Sequence, residues 1–220
     1  MSQPETPAPP LARASIDRSA QEREDPGLLE RLRQDPSTGV IAILRDATLV
    51  TGDGQLVVLP PQAILDARWA FLGRHSGGRA LLVAVVVSAD DIRGSHAQNW
   101  AGLRAIGGEL TAVDAAILVE AVALSRWLGE ARFCPNCGTE LHDRMAGWAR
   151  WCPTCERETY PRTDPAVIVA VSSSDGERLL LGMNAQWRDR RMYSTFAGFV
   201  EAGESVESAV VREIHEEAGV

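Results

Sequence analysis

Residues 198–220 read GFVEAGESVESAVVREIHEEAGV, and this stretch decides how the C-terminal part of the chain folds. Ser205 is a suitable N-cap residue and Gly219 is a suitable residue to follow a helix end. No proline lies between them. The sequence therefore predicts a helix over 206–218.

Three glutamates share one face of this helix, because at about 100° per residue Glu213, Glu216 and Glu217 fall within an arc of roughly 100°. We expect this face to point inward, since the same sector holds the apolar residues Val206, Ala209 and Val210. A solvated surface with i,i+4 pairs such as Arg212–Glu216 is the alternative. Acids on an apolar face repel one another and lose hydration unless a cation compensates, which favours a site for Mg²⁺ or Mn²⁺.

Written as a pattern, the stretch is G-x5-E-x7-R-E-U-x-E-E-x-G-U, where U is apolar, and every fixed position is filled. It resembles the Nudix box, the signature of hydrolases that cleave a nucleoside diphosphate linked to another group. The resemblance implies that Glu204 and Arg212 orient the loop and the glutamates, and that Gly198 and Gly203 let the backbone turn closely around phosphates. It also implies four ligands for a catalytic Mg²⁺ or Mn²⁺: Glu213, Glu216, Glu217 and the carbonyl of Ala197.

The four cysteines of the chain form a second motif, C-x2-C-x14-C-x2-C, with Cys134, Cys137, Cys152 and Cys155. Two such knuckles match a tetrahedral four-thiolate zinc ribbon. Two disulfides are the competing interpretation, but no signal peptide precedes the cysteines, and the spacing suits one shared metal better. Four thiolates leave no open position on zinc, so we expect a structural role for this Zn²⁺.

A zinc ribbon directly before a Nudix box resembles the NADH pyrophosphatase (NudC) family of Nudix hydrolases, and the likeness extends over about 103–220. The resemblance implies cleavage of NAD(H) at the pyrophosphate to nicotinamide mononucleotide and AMP, and removal of NAD from the 5′ end of RNA. It places the aromatic residues Phe199 and Tyr160 at the substrate's bases, and Arg104 at the substrate. It also implies a homodimer.

The predicted fold class is α+β, in four parts. Residues 1–36 are expected to form a disordered or polar segment, 37–130 an α+β domain, 131–160 the zinc ribbon, and 161–220 the first part of a Nudix α/β/α sandwich. The family's sheet continues beyond the box, with a second helix, a further metal-binding glutamate and a signature associated with NADH preference. Since Val220 fills the last position of the box, we expect a fragment of a longer gene product or a truncated form.

Patterning over the first 130 residues gives coarse secondary structure. Strands are predicted at 39–44, 55–59 and 80–87, and a loop or short helical piece is predicted at 66–72. A short polar helix is expected over 25–34, and disorder over 1–13. The clearest helix covers 112–127, with Thr111 as a suitable N-cap and its end at Gly129.

Composition bounds the remaining possibilities. The longest apolar run, 80–87, is far shorter than a membrane span. Free cysteines at metal spacing and no targeting segment indicate the cytoplasm. A formal net charge of −8 argues against a protein built for nonspecific nucleic-acid binding.

Two other functions stay open at this point. One is a Nudix hydrolase for another dinucleotide such as ADP-ribose. The second is a catalytically inactive zinc-ribbon binding protein, whose nucleic-acid face would be formed by Trp148, Arg150, Trp151 and Arg157.

Overall fold

A computed structural model of the chain describes residue 11, residues 16–75, 77–94 and 99–184, residue 189, and residues 191–220. The predicted disorder over 1–13 lies outside these residues, apart from residue 11. The chain divides into two compact units, Met1–Pro161 and Arg162–Val220.

The first unit is built around a five-stranded sheet with the order β3-β4-β1-β2-β5. Neighbouring strands are antiparallel, except that β1 and β4 are parallel. The strands are β1 (Gly39–Leu44), β2 (Ala47–Val50), β3 (Arg68–His75), β4 (Arg79–Val85) and β5 (Asn99–Gly102). The helices are α1 (Leu28–Gln34), α2 (Leu103–Ile106) and α3 (Ala112–Glu130).

Both faces of this sheet are covered, which explains the continuous apolar runs of β1 and β4. Ile41, Ile43 and Val83 belong to the core under α3, whereas Val40 and Leu82 belong to the core that includes α1. The predicted α+β class is confirmed by this mixture of helices and sheet. In the part of the chain that is described, no helix is long and apolar enough to cross a membrane.

Two sequence predictions for this sheet are wrong. Residues 66–72 were expected to form a loop or short helical piece, but most of them belong to β3. Ala70 and Leu72 face one core and Phe71 faces the other, so the strand shows no alternation of apolar and polar residues. Residues 55–59 were expected to form a strand, but they make only isolated bridges, at Leu56 and Leu59. The strand that joins the sheet is β2 instead.

The helix predictions fit better, with one correction near the N-terminus. Thr111 caps α3 by accepting a hydrogen bond from the amide of Asp114, as expected, and the helix continues past Gly129 to Glu130. The segment before residue 37 is not simply polar or disordered, since α1 buries Leu28 and Leu32 in the core. These two leucines sit four residues apart and therefore share one side of the helix.

The zinc ribbon is a three-stranded antiparallel sheet of β6 (His142–Arg144), β7 (Ala149–Cys152) and β8 (Arg157–Thr159). It packs against the first sheet through the turn between β6 and β7. Gly147 in that turn has φ of 89°, and a Cβ there would lie 2.8 Å from the Cα of Ala70. The indole Nε1 of Trp148 donates to the carbonyl of Phe71 at 2.6 Å.

The second unit contains two strand pairs and one helix. Its elements are β9 (Ala166–Val169), β10 (Val171–Ser172), β11 (Leu179–Leu180), β12 (Phe196–Phe199) and α4 (Val206–Ala218). β9 pairs with β12, and β10 pairs with β11. α4 packs on one face of the β9–β12 pair, where Val167, Phe196 and Ala209 are buried.

Candidate active site and zinc centre

The four cysteines come together at one point. Their sulfur atoms all lie within 4.8 Å of one another, with Cys134 and Cys155 at 3.9 Å and Cys137 and Cys152 at 3.5 Å. A tetrahedral zinc with Zn–S bonds of about 2.3 Å requires sulfurs about 3.8 Å apart. Disulfide bonds need about 2.05 Å, and all four thiols are free. The cluster therefore fits one zinc ion and excludes the two-disulfide interpretation.

Hydrogen bonds reach the sulfurs, but they do not favour the thiolate form of every cysteine. Despite its hydrogen bond from Asn136, Cys155 has its pKa raised to about 11 by the neighbouring cysteines and by burial. The side-chain amide of Asn136 and the backbone amide of Cys155 each donate to a cysteine sulfur at 3.3 Å. Hydrogen bonding with Thr139 is the largest cause that lowers the pKa of Cys137, to about 6. These contacts come from the knuckles themselves, which is why the short C-x2-C spacing already predicted the site.

The ribbon residues Trp148 and Arg150 do not form an outer nucleic-acid face. Arg150 is only 2% exposed and donates to the carbonyls of Ala131 and Leu128, the latter at 3.2 Å. Trp148 packs against the core of the first unit. Of the four residues proposed for such a face, Trp148 and Arg150 are used in contacts with the core, and only Trp151 and Arg157 are left. This weakens the interpretation of the chain as a nucleic-acid-binding protein.

Helix α4 has the ends that its sequence predicts. The hydroxyl of Ser205 accepts a hydrogen bond from the amide of Ser208 at 3.2 Å, and Gly219 adopts the left-handed conformation with φ of 69°. Only Glu213 among the three glutamates is turned inward, with 12% of its side chain exposed.

The expected inward orientation is wrong for Glu216, Glu217 and Val206, all of which are exposed. The two strands under α4 cover only a narrow stripe of the helix, and Ala209 is its one buried residue. A face that the sequence pattern makes continuous is therefore buried only where the strands reach it.

Arg212 links the loop before α4 to the glutamates. Its guanidinium donates to both carboxylate oxygens of Glu204, at 2.9 and 2.8 Å, and to the carbonyl of Phe199 at 3.0 Å. It also reaches Glu213 at 2.7 Å and Glu216 at 3.3 Å. The hydrogen bonds with Glu204 and Glu213 raise the pKa of Arg212, and Arg212 lowers the pKa of Glu204. Arg212 therefore connects the loop to two glutamates of α4 through charge-assisted hydrogen bonds.

Gly198 makes room for Glu213. The glycine lies in β12 on the face toward α4, and a Cβ at this position would overlap the Glu213 carboxylate. The phosphate-turn role that the resemblance implies for Gly198 stays a prediction. In the structure this glycine lets a carboxylate approach the strand backbone. Gly203, with φ of 86°, lies in the loop and has open space around it.

Glu217 and Ala197 lie at one cavity. The cavity has a volume of about 460 Å³, and its described lining is Gly182, Met183, Asn184, Ser194, Thr195, Phe196, Ala197 and Glu217. Carboxylate and carbonyl oxygens are ligands that Mg²⁺ and Mn²⁺ prefer. Among the described residues, the four cysteines are the group whose ligand atoms lie close enough together to hold a metal ion. Arg212 engages Glu213 and Glu216. The glutamates fit a divalent cation by their chemistry, and Arg212 would share them with it.

The proposed substrate residues belong to both units, one to the second and two to the first. Phe199 is 67% exposed, on the face of β12 away from α4. In the first unit, Tyr160 is 61% exposed and donates through its hydroxyl to Glu158 at 2.5 Å, which raises the pKa of Tyr160. Arg104 is exposed on α2.

Sequence reasoning missed the polar residues Asn184, Ser194 and Thr195 beside the candidate site. They line the same cavity as Glu217. The one signal was that Ser194 and Thr195 immediately precede the strand that leads into the Nudix pattern.

A helix that carries the complete Nudix pattern, together with a four-thiolate zinc site, defines a Nudix hydrolase with a structural zinc ribbon. Comparisons with known families agree. Residues 162–220 match the NUDIX domain, and residues 130–160 match the NADH pyrophosphatase zinc ribbon domain. The chain belongs to the Nudix hydrolases that carry the NADH pyrophosphatase zinc ribbon.

Three relatives illustrate the similarity to curated proteins. The NAD-capped RNA hydrolase NudC of Stutzerimonas stutzeri is 38% identical over 149 residues, which are 68% of this chain and 51% of that protein. The protein of the same name from Mycobacterium tuberculosis is 36% identical over 164 residues, 73% of this chain and 49% of its own length. The NAD-capped RNA hydrolase of Schizosaccharomyces pombe is 35% identical over 155 residues, with shares of 61% and 41%. The chain spans about half the length of the curated relatives it matches.

Proposed function

We propose that this protein hydrolyses the pyrophosphate of NAD(H), giving nicotinamide mononucleotide and AMP, in a reaction that depends on Mg²⁺ or Mn²⁺. The observation that carries the proposal is the position of Glu217 and Ala197 at one cavity, at the end of a helix with the complete Nudix pattern. The name of these relatives, NAD-capped RNA hydrolase, supports the same chemistry on NAD-capped RNA. We therefore include removal of 5′-NAD from RNA in the proposal.

Glu213, Glu216, Glu217 and the carbonyl of Ala197 would hold the catalytic cation. When bound, the cation supplies neutralisation of the phosphate oxygens and activation of water. Arg212 positions the residues around it, because one guanidinium binds Glu204, Glu213 and the carbonyl of Phe199. Gly198 leaves room for the Glu213 carboxylate against the strand.

For the substrate, the proposal keeps the contacts that the resemblance implies. Phe199 and Tyr160 offer exposed rings on which a flat base can stack. Arg104 offers an exposed positive charge for a phosphate oxygen. The resemblance also supports a homodimer, and free thiols at a zinc site support a cytoplasmic location.

The test is incubation of the purified chain with NADH and either Mg²⁺ or Mn²⁺, followed by chromatographic separation of the products. We expect AMP and reduced nicotinamide mononucleotide from the wild type and no product from Glu217→Gln. Glu207→Gln, at an exposed position in the first turn of α4, is the matched control and should behave as wild type. Faster cleavage of ADP-ribose than of NADH would replace the proposed substrate. Equal product from Glu217→Gln would refute the assigned site.

A further inference from the structure

The segment that precedes α1 lies along the outer edge of β3, the strand at one end of the five-stranded sheet. Ile16 is buried in the core under α3. The backbones of Asp17 and Arg74 exchange two hydrogen bonds, of 3.1 and 2.7 Å. The guanidinium of Arg74 also donates to both carboxylate oxygens of Glu22 at 2.6 Å. Residues 16–24 are called the strap below, because they cover part of an edge whose backbone groups would otherwise lack partners in the sheet.

Two arginines of the strap stack on a tryptophan of the zinc ribbon. The guanidinium carbon of Arg23 lies 3.8 Å from the centroid of the Trp148 ring, and that of Arg18 lies 5.6 Å from it. Both distances are within the about 6 Å at which a cation is attracted to an aromatic face. Since the indole nitrogen of Trp148 is itself bonded to Phe71 of β3, the strap binds the sheet and the ribbon at one place.

Helix α3 places a buried carboxylate beside the same arginines. The side chain of Glu120 is 5% exposed, and its Oε1 lies 3.5 Å from Nη1 of Arg18. Burial raises the pKa of Glu120, whereas the charges of Arg18 and Arg23 lower it. A buried carboxylate is costly unless a cation compensates it. The strap therefore supplies the positive charge that this position of α3 needs.

The ribbon turn next to the strap has a strained backbone. Met145, Ala146 and Gly147 have φ of 51°, 48° and 89° in succession. The first two carry a Cβ, and residues with a Cβ rarely adopt this left-handed conformation. The turn packs against β3 and against the short 3-10 helix Ala20–Glu24 of the strap. Since such strain persists only where the surrounding structure holds it, the turn should relax when one of its supports is withdrawn.

The zinc thiolates are one of these supports. Cys137 and Cys152 hold the two ends of the segment that carries the turn and Trp148. Because metal binding and folding are coupled in such modules, loss of zinc frees this segment and withdraws the tryptophan face on which Arg18 and Arg23 stack. The strap then keeps only its contacts with the sheet domain.

We propose that the strap is a zinc-dependent closure: it is held over Trp148 and Glu120 while the ribbon binds its metal, and it opens when the metal is lost. Opening uncovers the edge of β3, so the state of the ribbon is transmitted to the sheet domain. The inference concerns residues that the Nudix pattern does not contain, and it does not rest on the proposed hydrolysis.

Limited digestion with trypsin tests the closure, because trypsin cleaves after arginine and needs a locally unfolded chain. The zinc-loaded chain is compared with the same chain after chelation, and mass spectrometry follows the new N-termini at Ser19 and Glu24. Proteolysis follows the population of the open form, so we expect chelation to raise cleavage after Arg18 and Arg23 at least about tenfold. Cleavage after Arg79, in the interior strand β4, should change much less.

Arg23→Met removes the closer of the two stacking charges and retains an unbranched apolar side chain. In the zinc-loaded form it should raise cleavage after Arg18 about 3–10-fold, and chelation should then add less than in the wild type. Arg33→Met is the matched control, because Arg33 stacks on Trp69 at 5.1 Å, outside the strap. It should be cleaved after Arg18 as slowly as the wild type. Circular dichroism establishes that each variant is folded.

Because coupling between two equilibria is reciprocal, Arg23→Met should also bind zinc more weakly, as measured by competition with a chromogenic chelator. Equal cleavage after Arg18 with and without zinc would overturn the proposal. So would equal acceleration after Arg18 and Arg79, which would show unfolding of the whole unit. An Arg23→Met variant that matches Arg33→Met in both cleavage and zinc affinity would overturn stacking on Trp148 as the link between zinc and the strap.

Discussion

Arg150 of the zinc ribbon caps the end of helix α3, because its guanidinium donates to the carbonyl of Leu128 at 3.2 Å. Arg68 of β3 donates to the same carbonyl at 2.7 Å, and Asp143 pairs with Arg150 at 2.9 Å. Carbonyls at a helix C-terminus lack partners within the helix. The ribbon therefore completes an element that belongs to the neighbouring sheet domain.

Replacing Arg150 by Met should destabilise the whole first unit. The substitution removes the Arg150 donor from the carbonyl of Ala131, and it leaves the carbonyl of Leu128 with Arg68 alone. A hydrogen bond to a charged group contributes about 1.5–3 kcal/mol. A loss of about 3 kcal/mol lowers the melting temperature of a domain of this size by roughly 6–12 °C. Differential scanning calorimetry of the zinc-loaded protein measures this shift.

Arg157→Met is the control for this prediction, because Arg157 is an exposed arginine of the same ribbon sheet. It should melt within about 2 °C of wild type, as surface changes do. If both variants melt alike, Arg150 does not couple the ribbon to α3.

Removing zinc should loosen more than the ribbon. Both ends of the segment between Cys137 and Cys152 are held by thiolates, and this segment carries Trp148 and Arg150. Zinc binding in such modules is coupled to folding. After chelation we expect faster amide hydrogen exchange in residues 131–160, and also around Phe71 and Leu128, where the two side chains bind.

The middle of β1 provides the internal reference for the chelation experiment, since Val40 and Ile41 are fully buried and distant in sequence from the ribbon contacts. Their exchange should change less than that of Leu128. Fast exchange confined to the ribbon would show that the sheet domain does not depend on zinc.

Gly198→Ala should weaken binding of the divalent cation without unfolding the chain. The new Cβ would displace the Glu213 carboxylate, which lies against this glycine. Titration with Mn²⁺, followed by electron paramagnetic resonance, should give a Kd raised at least about tenfold, which corresponds to about 1.4 kcal/mol.

Gly52→Ala is the matched change for this experiment, because nothing lies within 4 Å of a Cβ at Gly52. It should bind Mn²⁺ as wild type. Unaltered Mn²⁺ affinity in Gly198→Ala would remove Glu213 from the set of metal ligands.

The ion pair of Glu204 and Arg212 should make the Nudix loop sensitive to acid. Arg212 lowers the pKa of Glu204 below its ordinary value of 4.5. The stabilisation is therefore fully present above about pH 4.5 and is lost as the pH falls through the lower folded pKa. The amide of Glu201 donates to Glu204 at 3.1 Å, so its hydrogen exchange reports the loop.

Corrected for the intrinsic effect of pH, this amide should be protected at pH 7 and lose protection below pH 4.5. Glu204→Gln should show weak protection at both pH values, and Glu207→Gln should follow the wild type. A wild-type loop whose protection is the same at pH 3 and pH 7 would contradict the role of this ion pair.

How far the sequence predicted this protein depends on the range of each interaction. The caps of α4 and the two cysteine knuckles are set by residues a few positions apart, and the structure agrees with both. β3 escaped prediction because residues distant in sequence bury both of its faces. No sequence pattern indicates the contact of Arg150 with α3, since the carbonyl that it binds is 22 positions away.

The same limit explains the errors at the candidate site. Helix periodicity places Glu213, Glu216 and Glu217 on one sector of α4, but the width of the covering strands decides that only Glu213 is turned inward. The contacts of Arg212 with the glutamates could be anticipated from the pattern, whereas the edge of the cavity at Ser194 depends on the pairing of Gly182 with Ser194. That pairing follows from tertiary structure and not from local sequence.

The last prediction concerns Phe199, whose ring is exposed on the face of β12 away from α4. Stacking of a base on an aromatic side chain contributes about 1–3 kcal/mol. If a base of the substrate stacks there, Phe199→Ala should raise the KM for NADH by about 5–100-fold. Because the ring does not contact the glutamates of α4 through that face, kcat should change much less. Ile168→Ala, on the same exposed face, controls for loss of apolar surface alone. An equal rise in KM for NADH and for a simple nucleoside diphosphate would contradict this prediction. It would show that Phe199 shapes the site without stacking on nicotinamide, the base that NADH has and the simple nucleoside diphosphate lacks.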